Sequence, residues 1–292
     1  MGTEPPSSTA LLAWYEPRRR AYPWRRKPTP YRVLVSEVML QQTQAARVVP
    51  AFERFVATFP SVRALAAAPT ADVVRAWDGL GHNRRAVALS RAARQIAERH
   101  GGRVPRDTAA LRALSGVGPY TADALAAIAF GEPVVAADVN VLRVSSRAVL
   151  GAEPGALRRA DVTAAAAAWL DDADPADWNQ AMMDLGREVC RTVPRCAICP
   201  ISASCSLVRR GRREGGAGAA PAHRPRARSP FEGSMRQVRG AVVRALRARS
   251  PMGVGALARE SGQPADRVRE AVRALHREGL VTVAGRTVGL PN

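Results

Sequence analysis

A single carboxylate interrupts the apolar stretch VVAADVNV at residues 134–141. An ionised carboxylate in such surroundings costs desolvation energy unless something uses or compensates its charge. Asp138 directly precedes the periodic segment VNVLRVSSRAVL, so it can cap a helix by accepting backbone N–H bonds. The pattern predicts an ionised helix cap and leaves open whether Asp138 also does chemistry.

Four cysteines form a second chemical group, with the spacing C-x5-C-x2-C-x5-C at Cys190, Cys196, Cys199 and Cys205. Structural zinc usually takes two short Cys pairs separated by a dozen or more residues, and only one such pair occurs here. Four thiolates within 16 residues, with Pro200 after the third, better suit a compact [4Fe–4S] cluster. We therefore expect an iron–sulfur cluster at these residues, with zinc as the alternative.

The segment LSGVGPYTA at 114–122 is the third candidate site. Gly116 and Gly118 allow a turn to approach another surface closely, and Pro119 suits the first position of a helix. The N-terminus of that helix would direct N–H groups at an anion. The pattern predicts a helix-hairpin-helix over 111–131 that grips a DNA phosphate without reading sequence.

The elements that must position these residues are helical. Apolar residues recur at three- and four-residue spacing through 32–58 and 61–100, and strand signals are almost absent before residue 280. Further helices are expected at 107–113, 120–130, 139–150, 156–170 and 175–188. The body of the chain is therefore predicted to be all-α.

The C-terminal part has a different organisation. Residues 209–233 are rich in Arg, Gly, Ala and Pro, and we expect them to form a flexible basic linker. Residues 234–292 then give three helical patterns and the hairpin pattern LVTVAGRTVGL, which is the order of a winged helix-turn-helix. A helical cap without a role in DNA binding is the alternative.

The charge of the chain indicates its partner. Forty-four basic residues stand against 25 acidic ones, a formal net charge of +19, and such a positive field favours nucleic acid. No apolar run approaches the roughly 20 residues that cross a bilayer, and the N-terminus lacks the layout of a signal peptide. We predict a cytoplasmic, nucleoid-associated monomer that binds double-stranded DNA and no membrane.

Several ordered motifs within about residues 10–208 resemble the helix-hairpin-helix DNA glycosylase superfamily that includes endonuclease III, and most closely its MutY-type adenine glycosylases. Besides the hairpin and the cysteines, the motifs are PWR at 23–25, SEVMLQQTQ at 36–44, GLG at 79–81, DVNV at 138–141 and NQAMMDLG at 179–186. The resemblance implies a two-lobed fold, with a cluster lobe formed by 1–28 and 135–208 and a six-helix lobe formed by 29–134.

The resemblance also implies a role for each matching residue. Glu37 matches the acid that protonates adenine near N7, and Asp138 matches the aspartate that stabilises the oxocarbenium-like sugar. Such a bond cleavage requires one protonated and one ionised carboxyl, and the base must first leave the stack. The other matches are catalytic support (Tyr120, Asn140), the base pocket (Trp24, Arg25, Leu40, Gln180) and DNA contacts (Gln41, Gln42, His82, Gly116, Gly118, Thr121).

Simple packing is the alternative role for Tyr120, Trp24 and Gln180, and an ion-paired helix residue is the alternative for Glu37. Bifunctional members of the superfamily have a lysine where Tyr120 stands, and Lys27 is the only lysine of this chain. We therefore predict a monofunctional glycosylase that leaves an abasic site and has no Schiff-base lyase activity.

The chain departs from the MutY pattern at four places. The first cysteine gap is five residues instead of the usual six, Ser115 replaces a proline, and His82 with Asn83 replaces an aromatic pair. The tail is too short and too helical for the Nudix-like domain that recognises 8-oxoguanine, and a repair protein is a candidate partner for it. Adenine opposite 8-oxoguanine or guanine is the predicted target, and the alternatives are a thymine or uracil mismatch glycosylase and a non-catalytic iron–sulfur DNA-binding protein.

Overall fold

A computed structural model describes residues 5–213 and 230–291. The described chain up to Arg213 is helical, as the sequence predicts. Its α-helices are α1 (Ser8–Tyr15), α2 (Pro23–Arg26), α3 (Pro30–Leu40), α4 (Ala45–Thr58), α5 (Val62–Ala67), α6 (Thr70–Ala76), α7 (Arg84–Arg99), α8 (Thr108–Arg112), α9 (Pro119–Phe130), α10 (Val139–Ala148), α11 (Arg159–Ala167), α12 (Pro175–Glu188) and α13 (Ser206–Arg213).

Capping residues set many of these boundaries. Ser61 and Asp174 accept backbone N–H bonds at the starts of α5 and α12, and Pro119 occupies the first position of α9. The pattern over 32–58 is broken at 41–44, where Gln42 has a left-handed φ of 57°. The pattern over 61–100 is broken because Pro69 starts a new helix and Gly79 and Gly81 have φ values of 82° and 66°. The periodicity of apolar residues therefore predicted helical structure correctly, but it did not predict where the individual helices end.

The chain forms two compact units. The first comprises Met1–Leu34, Arg106–Arg112 and Val117–Pro225. Its core lies between α1, α10 and α12, where Trp169 and Trp178 meet edge to face with ring centroids 5.9 Å apart. This unit extends beyond the predicted cluster lobe of 1–28 and 135–208, because α9 packs against α12 and α8 packs against α9.

The second unit comprises Val35–Pro105, Ala113–Gly116 and Arg226–Asn292. Its helices α4 to α7 pack around Phe52, Phe55, Trp77 and Leu89, all of which are fully buried. The unit also contains the C-terminal module, which the sequence analysis treated as separate. Residues 214–229 of the predicted linker lie outside the described residues, and residues 209–213 continue α13.

The C-terminal module has the predicted winged-helix order of elements. It consists of α14 (Met235–Ala248), β1 (Met252–Gly253), α15 (Val254–Ser261), α16 (Ala265–Arg277), β2 (Thr282–Ala284) and β3 (Thr287–Gly289). The strands form an antiparallel sheet in the order β1-β3-β2, with Val288 opposite both Met252 and Val283. The short strand β1 lies before residue 280 and was not predicted. No helix of the described chain combines the length and apolar character that crossing a membrane requires.

Candidate active site

Asp138 caps α10, as predicted, and three N–H groups hold its carboxylate. Oδ1 accepts from the backbone N–H of Asn140 at 2.8 Å and of Val141 at 2.7 Å, and Oδ2 accepts from the Asn140 amide at 2.7 Å. These three bonds, at the start of a helix, fix the position of the carboxylate. Asp138 is half-buried and Val139 beside it is 71% exposed, so the carboxylate stands where the core meets solvent.

Asn179 of α12 fixes the extended segment that leads to Asp138. Its Oδ1 accepts from the backbone N–H of Ala136 at 2.8 Å, and its Nδ2 donates to the carbonyls of Val134 and Pro175. Asn179 is fully buried and cannot bond to bulk water, so these bonds supply the hydrogen-bond partners of its amide. Part of the NQAMMDLG motif thus positions the DVNV motif, a relationship that spacing alone does not indicate.

Arg143 connects the second half of the site to the cysteine segment. Its Nη2 donates to Asn140 Oδ1 and to the Gly186 carbonyl, both at 2.7 Å, and its Nε donates to the Cys190 carbonyl at 2.7 Å. Because Asn140 donates to Asp138, the guanidinium determines which way the Asn140 amide faces. Arg143 was missed from the sequence because its role depends on carbonyls more than 40 residues away.

The predicted base-pocket residues of the first unit are well packed. Trp24 is 6% exposed and stacks on Tyr22 with ring centroids 4.9 Å apart, while Gln180 is 9% exposed on α12. Arg25 forms a forked ion pair with Asp184 at 2.9 and 3.3 Å. Burial lowers the pKa of Arg25, but Asp184 outweighs it and the pKa lies above its ordinary value. The structure therefore shows Arg25 bound to Asp184, which the sequence analysis did not anticipate.

Tyr120 is the second residue of α9 and is half-buried. Its hydroxyl lies 3.8 Å from the Met183 sulfur, a weak acceptor on α12. Thr121, predicted to contact DNA, is only 3% exposed. The residue is packed inside the unit, and its predicted contact with DNA stays a prediction.

The remaining catalytic candidate, Glu37, lies in the second unit. It is 7% exposed on α3, between the buried Ser36 and Val38, and Leu40 ends that helix half-buried. The role of Glu37 as a proton donor stays a prediction.

Gln42 and His82 are the two non-glycine residues of the described chain in the left-handed region, with φ values of 57° and 45°. Both side chains are exposed, and both residues lie in loops bound to one guanidinium, that of Arg85. Arg85 donates to the Gln41 carbonyl at 2.6 Å, to the Thr43 hydroxyl at 3.0 Å and to the His82 carbonyl at 3.4 Å. Such strain persists only where surrounding structure imposes it. Arg85 therefore fixes the two loops predicted to wedge into DNA.

Arg85 also binds the carbonyls of Val38 and Met39 at the end of α3 and lies over the Trp77 ring, 5.5 Å from its centroid. Burial and the nearby Arg84 lower the pKa of Arg85 to about 10, which leaves the guanidinium charged at neutral pH. Arg85 was not predicted as a functional residue, because its sequence position is that of an ordinary basic residue on an amphipathic helix.

The hairpin has the predicted turn, but its two glycines differ. Gly116 has a φ of 77°, and an added Cβ would lie 2.8 Å from the Ala88 Cβ, so both its conformation and its close packing require glycine. Gly118 has an ordinary φ of −85°, and a Cβ there would meet nothing within 4 Å. Gln41 donates to the Gly116 carbonyl at 3.5 Å.

The four cysteines line one pocket, together with Val144, Arg147 and Ile201. Arg147 is 1% exposed, pairs with Glu153 at 2.8 Å and lies 3.6 Å from the Cys190 sulfur. Burial raises the pKa of Cys199 to about 12, and the three other thiols oppose its ionisation. Four sulfur atoms around one pocket are of the type that binds an iron–sulfur cluster or zinc. In this arrangement the described residues contain no group of three or more His, Cys, Asp or Glu that could hold a metal ion.

The comparisons with known proteins place this geometry in a family. The family model described as "HhH-GPD superfamily base excision DNA repair protein" matches residues 35–159. The adenine DNA glycosylase of Mycolicibacterium smegmatis is 40% identical over 243 residues, which cover 82% of this chain and 80% of that protein. This chain belongs to the adenine DNA glycosylase family. The human adenine DNA glycosylase is 39% identical over 217 residues, covering 70% of this chain and 40% of the human protein.

A solved structure supports the family fold. A thermostable thymine-DNA glycosylase matches with a TM-score of 0.65 and 28% identity, covering 70% of this chain and 95% of that chain. The predicted helix-hairpin-helix glycosylase fold is therefore confirmed. One departure from the family pattern has a structural reason: the backbone N–H of Ser115 donates to Gln95 Oε1 at 2.8 Å, a bond that proline cannot make.

Proposed function

We propose that this member of the adenine DNA glycosylase family hydrolyses the N-glycosidic bond of adenine mispaired with 8-oxoguanine or guanine, in base excision repair. The observation that carries the proposal is the Asp138 carboxylate, held in place by three N–H bonds at the start of α10. The choice of adenine as the excised base rests on relatives named adenine DNA glycosylase, at about 40% identity.

The chemistry assigns different states to the two carboxyls. Glu37 donates a proton to the adenine ring, the bond between the sugar and the base breaks, and the bonding electrons leave with the base. Asp138 stabilises the positive charge that develops on the sugar, and a water molecule then adds to the anomeric carbon and releases one proton to solvent.

We also propose that the enzyme is monofunctional. A Schiff base requires an amine, and Tyr120 stands where a lyase would have lysine. Lys27, the sole lysine, is exposed directly after α2. Borohydride should therefore fail to trap the enzyme on DNA efficiently, and efficient trapping at Lys27 would contradict the proposal.

A [4Fe–4S] cluster held by Cys190, Cys196, Cys199 and Cys205 is part of the proposal. The cluster would join the end of α12 to the start of α13 and thereby hold the cysteine segment in place. We expect four irons and four sulfides per chain in protein purified without oxygen, and lower contents in Cys199→Ser. One zinc per chain without sulfide would favour the alternative.

The decisive experiment is a substrate panel. Duplexes with adenine opposite 8-oxoguanine, adenine opposite guanine, thymine opposite guanine and uracil opposite guanine are incubated with excess enzyme and then treated with alkali. Strand breaks at adenine are expected. Asp138→Asn should abolish excision and leave DNA affinity nearly unchanged, whereas unchanged excision would remove Asp138 from the mechanism.

The second candidate is a glycosylase for thymine or uracil opposite guanine. Its support is the structural match to the thermostable thymine-DNA glycosylase, which is 28% identical in sequence to this chain. The adenine enzyme of M. smegmatis is more similar, at 40% identity. Breaks only at thymine or uracil in the panel would favour this candidate. Binding without any break would favour a non-catalytic DNA-binding protein. Light scattering of free and DNA-bound protein would test the proposed monomer.

A further inference from the structure

The C-terminal module contains a helix-turn-helix whose second helix is α16. Between α15 and α16, Gly262 has a left-handed φ of 63° and Pro264 precedes the first residue of α16. Val268, Val272 and Leu275 of α16 pack inside the module, against helix α14 and α15. The opposite face of α16 is therefore left on the surface.

That exposed face carries a row of arginines. Arg269, Arg273 and Arg277 stand four residues apart, so they follow one another along one side of the helix for about 12 Å. Like charges at this spacing destabilise a helix. Asp266 and Glu270 are also exposed on α16, but in the described chain neither forms an ion pair with the row. Glu278, directly after the row, interacts electrostatically with Arg277, whereas the described chain shows no ion pair at Arg269 or Arg273.

The module is attached to the helical part of the second unit through Arg247 of α14. This guanidinium is 13% exposed and donates to the Val74 carbonyl at 2.9 Å, to Asp78 at 2.6 Å and to the Asn83 side chain at 2.8 Å. Asn83 follows His82, one of the two left-handed loop residues. The attachment therefore lies beside the His82 loop, which is predicted to contact DNA.

The C-terminal end of α16 lies beside the hairpin turn. Gly116, Gln41, Arg84, Arg91 and Glu278 line one cavity of about 310 Å³. An added Cβ at Gly279 would lie 2.5 Å from the Arg91 guanidinium, so that arginine lies against the residues that follow α16. Arg84 and Arg91 thus lie between the hairpin turn and the C-terminal end of α16, which Glu278 caps and where Arg277 ends the row.

We propose that the α16 row of Arg269, Arg273 and Arg277 is a second DNA-binding surface, which contacts backbone phosphates of the duplex flanking the hairpin. Charge complementarity selects the occupant, because B-DNA carries about seven phosphates over the 12 Å that the row spans. The row contacts phosphates and does not read bases, so its effect is independent of sequence.

The test measures the salt dependence of binding to an undamaged fluorescent duplex, using the full-length protein and fluorescence anisotropy. Each lost phosphate contact lowers the slope of log K against log salt by about 0.9. Between 50 and 200 mM KCl, the wild-type protein should therefore lose about 40-fold more affinity than the triple variant R269A/R273A/R277A. The variant should fold, since alanine favours helix and the substitution removes the repulsion.

Two further variants sharpen the test. R75A/R99A/R158A removes the same charge from exposed arginines elsewhere, and it should keep a slope close to the wild-type value. R269K/R273K/R277K keeps the charge and should keep the slope. A triple alanine variant that matches the R75A/R99A/R158A control in slope and affinity would overturn the proposal, and would leave a protein partner as the explanation of the row.

The inference is separable from the proposed function. Excision of adenine at saturating enzyme in low salt should remain within about twofold of wild type in the R75A/R99A/R158A control, whose arginines belong to none of the candidate sites. A wild-type protein that fails to excise would contradict the proposed function while the salt slopes still test the row.

Discussion

Gly186 of α12 lies so close to Asn140 of α10 that an added Cβ would come within 2.6 Å of the Asn140 Cβ. Real Cβ atoms do not approach so closely, and the neighbouring atoms are backbone and a short side chain that cannot swing away. The absence of a side chain at Gly186 therefore permits the contact through which α12 supports the Asp138–Asn140 pair.

Gly186→Ala should displace Asn140 and disturb its bond to Asp138. We expect excision to fall by roughly 100-fold and the free energy of unfolding to fall by about 1–3 kcal/mol. Single-turnover excision and urea unfolding measure the two effects. Gly240→Ala is the matched control, because Gly240 lies inside α14 with nothing near a Cβ, and alanine there should stabilise by about 0.5–1 kcal/mol. Equal behaviour of the two variants would contradict the steric argument.

Arg143→Lys should act on the rate and not on DNA affinity. Lysine keeps the charge but cannot donate simultaneously to Asn140, Gly186 and Cys190. Because Arg143 positions Asn140, we expect single-turnover excision to fall by up to about 100-fold, with the Kd for a duplex changed by less than about threefold. Arg158→Lys, on the surface, controls for the substitution. A parallel loss of affinity would assign Arg143 to DNA binding.

Arg85→Ala should loosen the Gln42 and His82 loops, both predicted to contact DNA, at once. The substitution leaves the carbonyls of Val38, Met39 and Gln41 without the guanidinium that binds them, and we expect a loss of about 3 kcal/mol or more in the free energy of unfolding. Duplex affinity should fall together with stability. Arg99→Ala, exposed on the same helix, should change neither quantity. Normal affinity in folded Arg85→Ala would show that the left-handed loops form without it.

The ion pair between Glu278 and Arg239 makes the stability of the module pH-dependent. Arg239 donates to both carboxylate oxygens, at 2.8 and 2.5 Å, and these bonds lower the pKa of Glu278 against an opposing effect of burial. A carboxyl with a lowered pKa stabilises the fold above its ordinary pKa of 4.5, and the contribution is lost as the pH falls through the lower folded value.

Glu278→Gln should therefore cost a few tenths of a kcal/mol at pH 7, since the pair is about one-third exposed. The difference between wild type and variant should shrink once the pH falls below about 4.5. Thermal unfolding at pH 7, 5 and 3.5 measures this difference, with Asp266→Asn as the control on the same helix. A difference that grows at low pH would have the wrong sign.

Much of the fold was predictable because helices and caps are encoded locally. The Asp138 cap, the start of α9 at Pro119 and the order of elements in the C-terminal module follow from residues within a few positions of one another. The helix ends at Leu40 and Ala76 were not predictable from periodicity. The end at Leu40 depends on the left-handed conformation of Gln42, which Arg85 imposes. The end at Ala76 depends on a loop whose apolar residues continue the helical spacing.

The candidate site was predictable only where motifs carried it. Asp138, Glu37 and the cysteines stand out by type and spacing, and their catalytic or ligand roles remain predictions. Asn179, Arg143, Arg85 and Arg247 were missed, because each acts by bonding to groups distant in sequence. A long separation in sequence also explains why the ion pair of Arg25 was not predicted, since its partner Asp184 lies 159 residues away.

The attachment of α14 through Arg247 has a consequence for synthesis on the ribosome. The first unit contains no described residue beyond Arg213, so its chain is available before the C-terminal module has been made. The second unit begins at Val35 but needs Arg247, 173 residues after its partner Val74, to complete its contacts. Since long-range closure is slow, the loops that carry Gln42 and His82 emerge early, and the His82 loop receives its last support only near the end of translation.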